Sequence, residues 1–377
     1  MLMRKDQLKI GILTFPTLRS GSVPLANLID ILRPILNDIY LITGNREYIY
    51  FKDTEKVHIY GIKHKTGANK VNRIVNYIFT QIKISYEVLL INKNVTHWLF
   101  FLGGPPLALP MLSAKLAGKD VSLIFAGSDI ETVKAESIIL SKLVEILVKI
   151  NLTLSNHIII YSSNLIKEWG LEKYKNKIYI AHEHFLDFNM LKVRKKLDER
   201  ENLVGYIGRL SEEKGVLKFV KTIPEIIKEK DDLKFLIGGE GQLQDKIEKY
   251  LSKKKINNKV KLAGWIPHNE LPDYLNKLKL VVIPSYTEGL PNLMLEAMAC
   301  GTPVLATPVG AIPDVIKDGE TGFIMKNNSP ECIAENVVRA LEHSDVEWIV
   351  ENAMALVEQE YTYVAAVERY RTILEEI

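Results

Sequence analysis

The sequence predicts an α/β protein built from two doubly wound parallel-sheet domains in tandem, and three observations carry that expectation. The chain has 377 residues, enough for each half to bury a core of its own. Short, continuous apolar runs precede longer segments of helical periodicity along most of its length. The cycle breaks once, at a charged stretch, and then restarts.

In the first half the strand-like runs fall at residues 9–15, 39–43, 57–62, 98–102, 121–125, 157–161 and 178–181. Uninterrupted apolar runs suit parallel strands covered on both faces by helices. The charged segment 192–202, KVRKKLDEREN, is expected to be the interdomain linker, which divides the chain into domains 1–190 and 191–360. A last helix at about 361–377 is placed to pack back on the first domain. Runs at 203–207, 233–237, 260–262, 280–283, 304–307 and 323–325 then alternate with helical patterns at 216–230, 243–252, 290–299 and 330–341. Open sheets of this kind hold ligands at the carboxyl ends of their strands, so two facing domains are expected to share one central cleft.

Composition narrows the setting. Cys300 and Cys332 can form no disulfide framework and lack metal-ligand spacing, which points to a reducing, cytoplasmic location. Arg4, Lys5, Asp6 and Lys9 interrupt the first apolar residues, so no leader segment is expected. The net charge of +3 divides unevenly: residues 1–190 hold 23 Lys and Arg against 16 Asp and Glu, and residues 191–377 hold 26 against 30. The basic half has no aromatic-interleaved patch of the RNA-binding kind, which argues against nucleic acid and leaves anionic lipid as a partner. The segment 138–154 is almost wholly apolar but carries Lys142, Glu145 and Lys149 on one helical face. It is too short and charged to span a bilayer; it fits either a sheet-covering helix with a solvated stripe or peripheral docking on a membrane surface.

Two segments carry chemistry. GRLSEEKG, residues 208–215, follows a strand directly; Gly208 permits a tight turn, and Arg209 and Lys214 sit in a strand-to-helix loop where two cations and a helix start could hold a diphosphate. A solvated loop in which Lys214 pairs with Glu212 or Glu213 fits the same residues. The second segment, PSYTEGLPNLMLEAMACGTPVL at 284–305, places Glu288 and Glu296 eight positions apart. Glu288 precedes Gly289 and Pro291 in a loop opening a helix, whereas Glu296 lies among Leu293, Met294, Leu295, Ala297 and Met298. A carboxylate in such company needs a partner, and ribose hydroxyls qualify.

With these residues in view, the chain resembles the retaining glycosyltransferases of the GT-B fold, the group 1 family that includes sucrose and glycogen synthases. GRLSEEKG resembles that family's phosphate loop, GGEGQL at 238–243 its glycine turn, GWIP at 264–267 the turn over the base, and EGLPNLMLEAMACGTPVLAT its two-glutamate signature. The resemblance implies a nucleotide diphosphate sugar donor (UDP-, GDP- or ADP-sugar), a glycan, lipid-linked or small-molecule acceptor, and no required cofactor or metal. It makes Arg209, Lys214 and Glu288 the catalytic residues, the two cations on the diphosphate and Glu288 on the transferred sugar. Gly208, Gly239 and Gly241 would shape the donor site, backbone near Ile266 would read the base, and Glu296 would hold the ribose. Amides of Gly289, Leu290, Pro291 and Asn292, at a helix start, would face the leaving phosphate; since proline has no amide hydrogen, Pro291 can only shape that loop. Retention by front-face attack, with the departing phosphate accepting the acceptor's proton, is the implied mechanism.

The first domain matches less closely. Gly21 and Ser22 resemble the family's first glycine loop, which usually has two adjacent glycines. In VSLIFAGSDIE at 121–131, Gly127, Ser128 and Asp129 resemble an acceptor-side segment, but Ala126 stands where a histidine is usual. That departure leaves a binding module without turnover, or a nucleotide-sugar epimerase of the same architecture, as alternatives. His182, Glu183 and His184 read as a domain-junction strand end and not as a metal site, because three adjacent ligands rarely suffice. A nicotinamide dehydrogenase is excluded by the missing fingerprint, since Gln244 occupies the place of its third glycine.

Overall fold

The structure is a computed structural model describing residues 8–16, 22–65, 67, 69–127 and 138–377. Its backbone divides into two compact units, one formed by Met1–His184 with Tyr363–Ile377 and the other by Phe185–Thr362.

In the first unit the strands are β1 (Ile10–Leu13), β2 (Ile39–Gly44), β3 (Val57–Ile62), β4 (His97–Phe100), β5 (Asp120–Phe125), β6 (His157–Ile160) and β7 (Ile178–Ile180). Among the described residues they form one sheet in the order β3-β2-β1-β4-β5-β6-β7. Every pairing is parallel. The apolar runs become central strands because both faces are covered, and the four residues of β1 are wholly buried. Trp98 lies flat over β1: a Cβ on Gly11 would come within 2.5 Å of its ring. The helices Lys70–Leu90, Ala108–Leu116 and Ile138–Leu154 lie side by side in this unit, and Tyr363–Glu376 closes it, with Tyr363 donating to the carbonyl of Asp30 at 2.9 Å.

The second unit contains β8 (Leu203–Ile207), β9 (Lys234–Gly238), β10 (Val260–Gly264), β11 (Leu280–Ile283), β12 (Val304–Ala306) and β13 (Phe323–Ile324). They pair in parallel in the order β10-β9-β8-β11-β12-β13. Helices Val216–Glu229 and Pro330–Leu341 pack together on the buried cluster of Phe219, Phe235, Leu305 and Phe323. The first strand of each unit is central, and the chain reverses its direction of winding beside it, between β1 and β4 and again between β8 and β11. That reversal opens a crevice at the carboxyl ends of the strands.

The segment 192–202 is not a tether. Arg200 is buried and donates to the carbonyls of Lys195, Leu278 and Cys300 and to the Thr302 hydroxyl, at 2.8–3.2 Å. Burial pushes its guanidinium down to about 10. The amide of Arg194 meets Asn276 Oδ1 at 2.6 Å, and Asn276 returns a bond to the Lys192 carbonyl at 3.0 Å. Charge density suggested solvent, but one guanidinium satisfying several carbonyls at helix and strand ends fixes the segment to the second unit. The helix expected from residue 290 begins at Asn292, with Pro291 as its cap.

Candidate functional site

The four motif segments of the second unit converge on the carboxyl ends of β8 to β11. Backbone bonds lace the first three: the amide of Gly208 donates to Gly238, that of Gly239 to Gly264, and that of Leu210 to Glu240, at 2.6–2.9 Å. Glycine is required at Gly239, where φ is +119° and a Cβ would lie 2.0 Å from the carbonyl oxygen of Gly208. Gly241 lies under Leu210 in the same way, and Ile266 packs on Gly238. The loop at 209–215 then meets the loop after β11, where the Tyr286 amide donates to the Glu213 carbonyl at 2.9 Å. Gly215, at φ +70°, approaches Pro284 so closely that a Cβ would stand 2.0 Å from its carbonyl oxygen.

That approach delivers Lys214 to Glu288. The ammonium donates to both carboxylate oxygens, at 2.7 and 2.8 Å, and Ser285 Oγ donates to Oε1 at 2.7 Å. The side chain of Glu288 is 8 % exposed and that of Lys214 28 %. The Ser285 carbonyl in turn accepts from Thr307 at 2.6 Å, and Asn328 holds the Pro284 carbonyl at 3.0 Å, so the carboxylate stands on a braced loop. Tyr206, buried beneath, has its phenol raised first by burial and then by Glu288; its hydroxyl donates to the Arg209 carbonyl at 2.7 Å. Neither loop carboxylate takes Lys214. Arg209 instead is an exposed partner of Glu213 at 3.3 Å, and the structure does not bring its guanidinium to Lys214 or Glu288.

Glu296, buried in the helix Asn292–Ala299, has a separate partner: His268 Nε2 lies 2.8 Å from Oε1. The bond to Glu296 raises the histidine above its ordinary value, against the effect of its partial burial. His268 escaped the sequence reading; its place just after GWIP, the turn over the base, was the only available signal. Residues 289–291 precede that helix, whose first turn no side chain caps. In the first unit Gly127 follows β5 and is half-buried, and Ser22 opens the helix Ser22–Leu32. Gly21, Ser128 and Asp129 lie outside the described residues. His182, Glu183 and His184 are buried, and Glu183 accepts the Tyr161 hydroxyl at 2.6 Å on each oxygen. Burial pushes that carboxyl up to about 7. A cavity of about 290 Å³ lies away from all of this, at the amino ends of β8 to β10, beside Leu203, Lys234 and Val260.

The sequence profile of the family described as glycosyl transferases group 1 matches residues 187–359, the stretch holding every one of these strand-end motifs. That stretch is thus similar to the glycosyl transferases group 1. Among curated relatives, alpha-D-kanosaminyltransferase of Streptomyces kanamyceticus is 30 % identical over 212 residues, 55 % of each chain. The capsular polysaccharide biosynthesis glycosyltransferase CapM of Staphylococcus aureus is 25 % identical over 363 residues, 91 % of each chain. The match to the first of these spans about half of that protein's length, and several others span less. Structures of Anabaena HepE in complex with UDP and with UDP-glucose superimpose at TM-scores of 0.75 and 0.72, covering 98 % of this chain and 100 % of theirs at 15 % identity. The fold is thus that of GT-B proteins, two Rossmann-like parallel-sheet domains. The curated relatives are transferases by name, which favours neither a binding module nor an epimerase. Among the described residues no helix is long and apolar enough to cross a membrane.

Proposed function

We propose that the chain is a retaining glycosyltransferase that takes a sugar from a nucleotide diphosphate donor, with UDP as the nucleotide, and passes it to a glycan, lipid-linked or small-molecule acceptor in the cytoplasm. The observation that supports this most is the Lys214–Glu288–Ser285 cluster at the crevice beside β8 and β11, a cation and a carboxylate held together where that fold binds ligands. The UDP assignment follows the HepE complexes.

In this reading Lys214 turns from Glu288 to the donor diphosphate, and Glu288 accepts hydroxyls of the sugar. The uncapped turn after Pro291 adds partial positive charge at the leaving phosphate. Arg209 must leave Glu213 to join them, a small cost for an exposed pair. Glu296 holds the ribose diol in place of, or together with, His268. Gly239, Gly241 and Ile266 shape the base end. With the leaving-group charge met by Lys214 and backbone dipoles, transfer proceeds without a divalent ion.

The test is transfer from a UDP-sugar to an acceptor library with a chelator present, reading UDP release and the anomeric configuration of the product by NMR. Release of UDP with a product of the donor's configuration is expected. Turnover that stops with the chelator and returns with magnesium, or an inverted product, overturns the corresponding part.

A further inference from the structure

The helix Lys70–Leu90 is apolar on two opposite faces. Ile84 and Val88 are wholly buried on one, and Gln81 on the same side accepts the amide of Leu109 at 3.0 Å. The other face carries Val71, Val75, Phe79, Ile82, Tyr86 and Leu90, spaced by three or four and so stacked one above another. Each is between 41 and 68 % exposed. The adjoining helix Ala108–Leu116 adds Leu112 and Leu116, the latter 88 % exposed. Helix faces turned to water are ordinarily charged, and an apolar stripe running the length of a helix marks something that covers it.

Charge indicates what that is. Residues 63–119, which contain both helices, hold eight Lys and Arg and a single acid, Glu87. The rest of residues 1–190 hold 15 cations and 15 anions, so this segment supplies the whole basic excess of the first half. Lys63, Lys65 and Lys93 are exposed at either end of the long helix. We propose that this face docks on an anionic lipid bilayer, the apolar stripe lying at the boundary of headgroups and acyl chains and the flanking lysines on the headgroup phosphates. A second copy of the chain is the poorer occupant, because a two-fold contact would set the same cationic segment against itself. The helix Ile138–Leu154, which the sequence singled out for docking, exposes Leu143, Ile146 and Ile150 among the described residues and pairs its Lys149 with Glu145 at 2.6 Å. The inference stands on this surface alone and is independent of the transferase reading.

The test is co-sedimentation of the full chain with vesicles of phosphatidylcholine, alone or equimolar with phosphatidylglycerol, at low and high salt. Binding only to the anionic vesicles, weakened by salt, is expected. Lys63→Glu with Lys65→Glu should reduce partitioning by about 25-fold or more, at about fivefold per lost cation. Phe79→Ser with Ile82→Ser should reduce it at least about tenfold, because two buried apolar side chains are lost. Both pairs are exposed, and unchanged thermal melting confirms that they fold. Lys249→Glu with Lys253→Glu, the same charge change on the second unit, should leave partitioning unaltered. The proposal is overturned if the chain stays in the supernatant with anionic vesicles at low salt, or if the second-unit variant loses as much as the first. It is also overturned if sedimentation velocity finds a dimer that Phe79→Ser with Ile82→Ser dissociates.

Discussion

The two units share a strand order and use it differently. At the strand ends of the second, charged groups are kept within reach of solvent: Lys214 is partly exposed on Glu288, and His268 stands largely exposed on Glu296. The first unit buries ionisable groups in and beside its sheet. Glu183 lies under Tyr161, and His97, bonded to Ser122 at 2.8 Å, is pushed down to about 3 by burial and then by His157. What the first unit exposes includes the apolar face of Lys70–Leu90. Topology supplied the crevice in both, and on the proposed reading the residues placed at strand ends decide which one carries donor chemistry.

That contrast predicts a crossed pattern of variants. Glu288→Gln should depress turnover by about a hundredfold to a thousandfold, as expected for a group whose contact strengthens in the transition state, while leaving thermal stability nearly unchanged. Turnover within about threefold of the parent would remove Glu288 from the chemistry.

Glu183→Gln should do the reverse. Because burial raises the folded pKa from 4.5 to about 7, the native state holds its proton after the unfolded chain has lost it. The carboxyl's contribution is therefore full below about pH 4.5 and is lost as pH rises through about 7, a change on the order of 3 kcal/mol. Denaturant melts should show this loss in the parent and a flatter profile in Glu183→Gln, with turnover intact. Parallel profiles would show that Glu183 titrates normally, and a large loss of turnover without loss of stability would break the contrast between the units.

Much of this was legible in the sequence because parallel, doubly covered strands leave continuous apolar runs, and each sheet was visible from them. The strand-end motifs were legible for a related reason: GRLSEEKG and EGLPNLMLEAMACG combine glycines, charges and a helix start in fixed order, and backbone geometry demands that order. Pairings across sequence were not. Nothing in GRLSEEKG distinguishes Lys214 on Glu213 from Lys214 on Glu288, since only the close approach of Gly215 to Pro284 selects the distant carboxylate. His268 had no local signal beyond its place just after GWIP. The anchoring of segment 192–202 through Arg200 was not legible either, since the carbonyls of Leu278 and Cys300 that it satisfies lie 78 and 100 residues away. The exposed face of Lys70–Leu90 went unnoticed because a helix apolar on both sides reads as core.

The most direct test of the donor-site claim is a calorimetric titration of UDP into the parent, Lys214→Ala and Glu288→Gln. If Lys214 meets the diphosphate, its loss should weaken UDP by roughly 1.5–3 kcal/mol, the cost of a charge-assisted contact. Glu288→Gln should bind UDP at least as tightly as the parent, since the carboxylate that holds Lys214 in the ligand-free protein no longer competes for it. Equal affinities for Lys214→Ala and the parent, or a loss in Glu288→Gln as large as that in Lys214→Ala, would contradict the placement of the diphosphate at Lys214 and the sugar at Glu288.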